Sequence, residues 1–211
     1  HGAAGLAQLS DWGAKEWAAE VAEACKTYKL DGVNLDDEYS SNPDLSNKWF
    51  TSRSAAAGAR LMYELKVALK ESCSWPTEVS FFDWGSLYDL PEVDGHKQSE
   101  FVDFHVANYG SASGPFGDLT LKQCSGASIQ LNYGYTISQS QAEQIKNAGY
   151  GWIMWFAFDP SGTGSVNNNR THSVNQFTDV ALGCYGQKLK EPTGVYNKKG
   201  EGKYDPNRYD I

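Results

Sequence analysis

The chain has 211 residues, of which 18 are basic and 26 are acidic, and its formal net charge is −8. Binding to nucleic acid or to an anionic membrane draws on clustered lysine and arginine, so this balance excludes both as main partners. No apolar run approaches the ~20 residues that span a bilayer, whereas 7 Trp, 12 Tyr and 9 Phe supply ample material for a core. We therefore expect an acidic globular protein.

Helix and strand patterns alternate along the chain. The spacing of apolar residues and the capping residues predict the elements in chain order. They are a helix from 10–11 to 29, a strand over 30–36, a helix from 44–46 to 73, strands over 78–84, 101–109 and 127–133, a helix from 138–140 to 148, a strand over 151–158 and a helix over 171–182. We expect residues 1–185 to form one domain and the polar residues 186–211 to form a tail.

The alternation of strands and helices predicts a parallel α/β sheet. In the first strand Asn34, Asp36 and Glu38 share one face and apolar residues occupy the other, because side chains alternate with period two. The strands over 101–109 and 127–133 also have one polar face. Both faces of a doubly wound sheet pack under helices, so its strands are nearly continuously apolar. A polar face instead favours a barrel with a site in its interior.

Two carboxylates follow the first strand. Asp36 and Glu38 project from the same face at its C-terminal end, where parallel barrels place their catalytic groups. Like charges this close raise the pKa of one partner, so one carboxyl can stay protonated as an acid while the other remains charged. A solvated acidic turn is the alternative interpretation.

The cysteines are widely spaced, at Cys25, Cys73, Cys124 and Cys184. They form no CxxC or Cys/His cluster, so we predict no metal site. We favour two disulfides and a secreted protein, although four buried free thiols would give the same sequence. Asn169 begins an N-R-T triplet, a formal glycosylation acceptor. The chain begins at His1 without a leader, which is consistent with a processed chain or a fragment.

Residues 31–38, DGVNLDDE, resemble the DGxDxDxE signature of family 18 glycoside hydrolases, and the variant DDEY is most similar to the endo-β-N-acetylglucosaminidases of that family. Residues 1–7 resemble the end of the family's third strand, 101–110 (FVDFHVANYG) its sixth strand and 151–156 (GWIMWF) its eighth. The resemblance implies a (β/α)8 TIM barrel. It also implies hydrolysis of the GlcNAc-β1,4-GlcNAc bond of the N-glycan core by a substrate-assisted, retaining mechanism that uses no cofactor.

The resemblance implies a role for each matching residue. Glu38 would protonate the leaving oxygen and then activate water. Asp36 would orient the acetamido group of the substrate, Tyr109 would hydrogen-bond its oxygen, and Phe156 would form an apolar floor beneath the sugar. Further glycan contacts are expected from polar and aromatic residues on the same strands, namely Asn34, Trp84, Asn108, Gln130 and Asn132. Core packing is the alternative for Trp84, and His105 fits a core role or a substrate contact.

Two features depart from the family pattern. Asn34 stands where the family usually has Asp, and we hypothesise that its neutral amide keeps Asp36 ionised over a wider pH range. Barrels of this kind typically have ~250 residues, yet only the fourth to eighth strands can be counted here. Either a separate or cleaved N-terminal segment completes the barrel or the sequence is incomplete. A chitinase and a non-catalytic glycan-binding or storage protein on the same fold are the alternative functions.

Overall fold

The structure is a computed structural model that describes residues 4–82, 89–111, 114–157 and 170–189. Its helices are α1 (Asp11–Tyr28), α2 (Ala55–Ser72), α3 (Gln98–Phe101), α4 (Gln139–Ala148) and α5 (Arg170–Tyr185). Its strands are β1 (Gly32–Leu35), β2 (Glu78–Phe82), β3 (Phe104–Val106), β4 (Gly110–Ser111), β5 (Ser125–Gln130) and β6 (Trp152–Phe156). Each predicted helix and strand has a counterpart in the predicted order, whereas α3 and β4 were not predicted.

The first three strands form a parallel sheet in the order β1-β2-β3. Leu35 lies opposite Phe81 in β2, and Phe82 lies opposite Val106 in β3. A second sheet has the order β4-β5-β6, with β4 antiparallel to β5. The predicted α/β class with parallel strands is therefore confirmed. Because the described strands form two three-stranded sheets, a complete barrel remains a proposal.

Gly32 shows why the first strand begins with glycine. Its φ of +151° is a conformation that side chains rarely adopt. A Cβ added there would lie 2.0 Å from the carbonyl oxygen of Glu78, its partner in β2. Any larger residue would therefore separate β1 from β2.

The chain divides into two compact units, which we describe separately. The first comprises His1–Ser128 with Gly149–Met154. Its core lies between α1, α2 and the parallel sheet. Leu61, Leu65 and Leu69 recur every fourth residue along α2, so they line one face of the helix and are fully buried. This apolar face is the part of the predicted helix that the sequence pattern located correctly.

The second unit comprises Ile129–Ala148 with Trp155–Ile211, and in it α4 packs against α5. The buried side chain of Gln176 accepts a hydrogen bond from the backbone N–H of Ile137 (2.9 Å) and donates one to its carbonyl (3.0 Å). The ring of Trp155 meets that of Phe177 edge to face, with centroids 5.0 Å apart. The Gln176 bonds hold α5 to the segment that precedes α4, and the Trp155 contact holds it to the end of β6.

Three predicted element boundaries are wrong. The strand expected over 127–133 ends at Gln130, because residues 131–133 form a short 3-10 helix. α2 begins at Ala55, not at 44–46, because Asp44 uses its carboxylate to accept from the backbone N–H (2.9 Å) and hydroxyl (2.7 Å) of Ser46 and so forms a turn. Ser54 is the cap, and its hydroxyl accepts from the N–H of Ala57. The strand expected over 101–109 is confined to β3, because residues up to Phe101 close the short helix α3.

All four cysteines are buried free thiols, the alternative that the sequence left open, and the favoured disulfides are not supported. Burial raises the pKa of the thiols at Cys25, Cys124 and Cys184. The Cys25 and Cys184 thiols donate to backbone carbonyls. The cysteines thus serve as small apolar core residues in this fold.

Several predictions lie outside the described residues. These are the glycan contact at Trp84, glycosylation of Asn169 and the tail from 190 onward. The domain boundary at 185 stays a prediction. Within the described ranges, no helix is both long and apolar enough to cross a membrane.

His105 is a core residue. It lies in β3 with no exposed surface, and its ring centroid is 4.7 Å from that of Phe81 and 4.9 Å from that of Phe116. Burial lowers the pKa of His105 to about 4, because the charged ring is poorly solvated among aromatic side chains. The imidazole is therefore neutral at pH 7.

We expect the free energy of unfolding to fall as the pH drops from about 6.5 to about 4. In that window the unfolded chain takes up a proton at His105 and the folded chain does not, so acid favours unfolding by roughly 3 kcal/mol. Urea unfolding of the full-length protein from pH 7 to pH 4 measures the loss. His105→Leu should remove this part of the pH dependence, whereas the control His96→Gln, at an exposed histidine, should retain it. The same acid dependence in wild type and His105→Leu would contradict the assignment.

Candidate active site

The two candidate carboxyl groups lie in the segment that follows β1, residues 36–41, which we define as the acidic loop. Leu35 and Asp37 are buried, whereas Asp36 is exposed and Glu38 half-buried. The alternation of the strand thus continues beyond its end and places Asp36 and Glu38 on the accessible side. This is the arrangement that the period-two pattern predicts.

Glu38 is held in an environment that favours its protonated form. Burial, a hydrogen bond with Asp36 and the negative charge of Asp36 together raise the pKa of Glu38 to about 6, and burial is the largest of these causes. A carboxyl group with this pKa carries a proton for a large fraction of the time near pH 6. Glu38 can therefore donate a proton while Asp36 accepts the hydrogen bond.

Tyr109 completes the group. Its ring lies 5.5 Å from that of Phe82, between centroids, just beyond β3. Burial raises the pKa of the Tyr109 phenol, and the nearby negative charges of Glu38 and Asp36 raise it further. The ends of β1 and β3 thus bring Asp36, Glu38 and Tyr109 into one electrostatic neighbourhood, and their roles stay predictions.

Asn34 is oriented by a residue that the sequence did not reveal. The hydroxyl of Ser80 donates to Oδ1 of Asn34 over 2.9 Å, and the two residues are direct partners across β1 and β2. The bond fixes the orientation of the amide, and the amide nitrogen of Asn34, on the other branch of that group, is a donor. Ser80 was missed because the register of two parallel strands cannot be read from either strand alone.

The other predicted contact residues are distributed over the two compact units. Asn108 is exposed, and its Oδ1 accepts from the N–H of Tyr109 over 2.7 Å, so it shapes the turn that carries the phenol. Phe156, which is 49% exposed, Gln130 and Asn132 belong to the second compact unit.

An ion pair between the buried Asp37 and the half-buried Arg53 underlies the acidic loop, and no role was predicted for either partner. Asp37 is 3% exposed, and its Oδ2 lies 3.1 Å from Nη1 of Arg53. The same oxygen accepts from the backbone N–H of Ala7 over 3.0 Å. The signal was present in the sequence, since the period that exposes Asp36 and Glu38 places Asp37 on the buried face with Leu35.

Among the described residues, no group of three or more His, Cys, Asp or Glu side chains could hold a metal ion. Asp36 and Glu38 are two neighbouring carboxyl groups beside the phenol of Tyr109, at the C-terminal edge of the parallel sheet. Groups of this kind can donate and accept protons in acid–base catalysis.

The chain is similar to one endo-beta-N-acetylglucosaminidase of known sequence and to solved structures, although no family model matches it. Endo-beta-N-acetylglucosaminidase F1 from Elizabethkingia meningoseptica is 29% identical over 202 residues, which are 94% of this chain and 57% of that protein. The crystal structure of Bacteroides thetaiotamicron EndoBT-3987 in complex with Man9GlcNAc2Asn substrate is 44% identical with a TM-score of 0.80, over 92% of this chain and 46% of that one. Its structure with Man5GlcNAc product is 45% identical with a TM-score of 0.78, over 91% and 42%. The chain thus spans about half the length of these proteins.

We expect Asp36→Asn to lower the pKa of Glu38 from about 6 part of the way to 4.5. The substitution removes the charge and weakens the hydrogen-bond acceptor, whereas burial, the largest cause, remains. A carboxyl 13C NMR titration of the glutamate-labelled full-length protein measures the change. Asp31→Asn, an exposed carboxylate before β1, is the matched control and should leave the pKa of Glu38 in place. An unchanged pKa of Glu38 in Asp36→Asn would mean that burial alone raises this pKa, and the prediction would be wrong.

Proposed function

We propose that the protein is an endo-β-N-acetylglucosaminidase that hydrolyses the GlcNAc-β1,4-GlcNAc bond of the N-glycan core. The observation that carries the proposal is the pair Glu38 and Asp36, in which the pKa of Glu38 is raised to about 6, with Tyr109 close to both. The choice of substrate is supported by the likeness to EndoBT-3987, which was crystallised with an N-glycan substrate and with a glycan product.

In the first step the acetamido oxygen of the substrate attacks the anomeric carbon, and the bond to the leaving oxygen breaks. Glu38 gives its proton to that oxygen, so the released GlcNAc leaves as an alcohol. Asp36 accepts the acetamido N–H and stabilises the positive charge that develops on the oxazolinium ion. No nucleophile from the protein is needed.

In the second step Glu38, now a carboxylate, takes a proton from water as the water oxygen attacks the anomeric carbon. The oxazolinium ring opens and the acetamido group is restored. Two displacements at one carbon retain its configuration. Glu38 ends the cycle protonated, and Tyr109 hydrogen-bonds the acetamido oxygen throughout.

The rest of the predicted site is part of the same proposal. Phe156 forms the floor beneath the reacting sugar, and Trp84, Asn108, Gln130 and Asn132 contact the glycan. Asn34 donates to Asp36 through its amide nitrogen, an assignment supported by the bond from Ser80 to its oxygen.

We also propose that the catalytic domain is a (β/α)8 barrel of which this chain supplies the fourth to eighth strands. The parallel order β1-β2-β3 and the TM-score of 0.80 over 92% of the chain support it. In the described part of the chain β1 is an edge strand, so its outer backbone groups are available to a further parallel strand. A separate N-terminal fragment, the domain boundary at 185 and secretion stay predictions.

Glu38→Gln should lower kcat for glycan release by about 10²- to 10⁴-fold, because the amide can neither donate the proton nor activate water. The measurement is the mass shift of a high-mannose glycoprotein incubated with the full-length protein. Glu71→Gln, on the exposed end of α2, is the control and should keep wild-type activity.

The same assay on chitin oligomers separates the alternatives. Cleavage of chitin without glycan release would make the protein a chitinase. Tight binding of glycan without release, in wild type as in Glu38→Gln, would make it a glycan-binding protein.

Asn34→Asp should move the pH profile of kcat/KM to higher pH. A carboxylate at this position adds a negative charge beside Asp36 and Glu38, and like charges raise the pKa of their neighbours. Ser80 can still donate to the new side chain, so the orientation is kept. The control is Asn47→Asp, which adds the same charge at an exposed turn. Coincident profiles for wild type and Asn34→Asp would overturn the role given to Asn34.

A further inference from the structure

We propose that Arg53 is a positioning residue that holds the acidic loop, and with it Asp36 and Glu38, in the shape that catalysis requires. The proposal rests on the proposed function, because the geometry matters for the bond-cleaving step. Arg53 contacts neither candidate catalytic carboxyl in the described contacts. It lies just before α2, 15 residues beyond Glu38 in the sequence.

The guanidinium of Arg53 makes three polar contacts with the acidic loop. Nη1 of Arg53 lies 3.1 Å from Oδ2 of Asp37, and it donates to the hydroxyl of Ser40. Nη2 donates to the backbone carbonyl of Asp37 over 3.1 Å. Arginine suits this task because its donors lie in one rigid plane, which lysine cannot reproduce. The three contacts fix the turn on both sides of Glu38 and Tyr39.

The turn needs such support because its backbone is strained. Tyr39, which is 70% exposed, has a φ of +50°, a left-handed conformation that costs a residue with a side chain about 1–3 kcal/mol. A strained residue persists only where its surroundings determine it. The residues on either side of the Glu38–Tyr39 pair, Asp37 and Ser40, are those that Arg53 holds.

The segment 5–8 also binds the acidic loop, through contacts that do not involve Arg53. The N–H of Ala7 donates to the carboxylate of Asp37 over 3.0 Å, and the Gln8 amide donates to the carbonyl of Ser41 over 2.9 Å. Gly5 packs so closely that an added Cβ would lie 2.2 Å from Oδ1 of Asp37. The loop is therefore held between segment 5–8 and Arg53.

The segment 5–8 and the residues next to Arg53 are hydrogen-bonded to each other. The backbone carbonyl of Ala7 accepts from the N–H of Ser54 over 3.1 Å, and the carbonyl of Gln8 accepts from the N–H of Thr51 over 2.8 Å. The residues that flank Arg53 are thus bonded to the segment that binds Asp37. A change at Arg53 or at Gly5 should disturb the same loop.

The test compares Arg53→Met with Arg60→Met in the full-length protein. Arg60 is the matched control, since it also lies at the N-terminal end of α2 and pairs with Asp11, Glu64 and Asp94, away from the loop. In Arg53→Met we expect kcat for glycan release to fall about 10²-fold, the cost of a small misplacement of catalytic groups, with KM changed less than about threefold. Arg60→Met should keep kcat within about twofold of wild type. Arg53→Lys should recover only part of the loss.

Two readouts do not need turnover. In Arg53→Met the pKa of Glu38 should fall from about 6 toward 4.5, because the loop opens to water and Glu38 moves away from Asp36. Amide hydrogen exchange over residues 36–41 should accelerate, whereas exchange in α2 should not. If wild type releases no glycan, the proposed function fails and these readouts still decide the role of Arg53.

Gly5→Ala is the second variant, used where Arg53→Met does not fold. The φ of Gly5 is −104°, which alanine adopts without strain, so its methyl group acts by displacing Asp37 and Ser40, the two residues that Arg53 binds. Gly5→Ala should reproduce the loss in kcat and the faster exchange with Arg53 intact. Wild-type kcat, Glu38 pKa and exchange in both variants would overturn the proposal. An equal loss of kcat in Arg60→Met would also overturn it, since the effect would then be one of stability.

Discussion

The burial of Asp37 between two accessible carboxyl groups is the constraint on which the site depends. A buried carboxylate is costly unless it is paired and hydrogen-bonded. Here the guanidinium of Arg53 and the N–H of Ala7 meet the same carboxylate oxygen, Oδ2. Removing one partner of a buried pair typically costs about 3–5 kcal/mol, because an uncompensated charge is left behind. Because separating Asp37 from Arg53 and Ala7 is unfavourable, the acidic loop, the residues before α2 and the segment before α1 stay together.

Three consecutive acidic residues thereby acquire three different environments. Asp37 is a structural anion with a cationic partner, and Asp36 is exposed and accepts a hydrogen bond. Glu38 lies between these extremes, and burial with the nearby charge of Asp36 raises its pKa to about 6. Residue type alone does not distinguish the three, since carboxyl groups differ in function only through burial and neighbours.

Much of the secondary structure could be predicted, because it follows from local periodicity. Leu61, Leu65 and Leu69 recur at helical spacing and lie in α2, and each predicted strand overlaps a strand of the structure. The errors have local causes as well. The sequence predicts Asp44 as a helix cap, but its carboxylate accepts from Ser46 two residues later, and the cap is Ser54. Distinguishing these uses of a short polar side chain requires the surrounding backbone.

The amino-acid sequence by itself determined that Asp36 and Glu38 lie on one face after a strand, because the two-residue period of a strand is a local property. It also carried the resemblance of residues 31–38 to a glycosidase signature. Only the tertiary structure decided which residues surround Asp36 and Glu38 and hold their neighbours in place. The register between β1 and β2 brings Ser80 to Asn34, and the packing of α2 brings Arg53 to Asp37. Such contacts join residues 16 to 46 positions apart, and no local pattern encodes them.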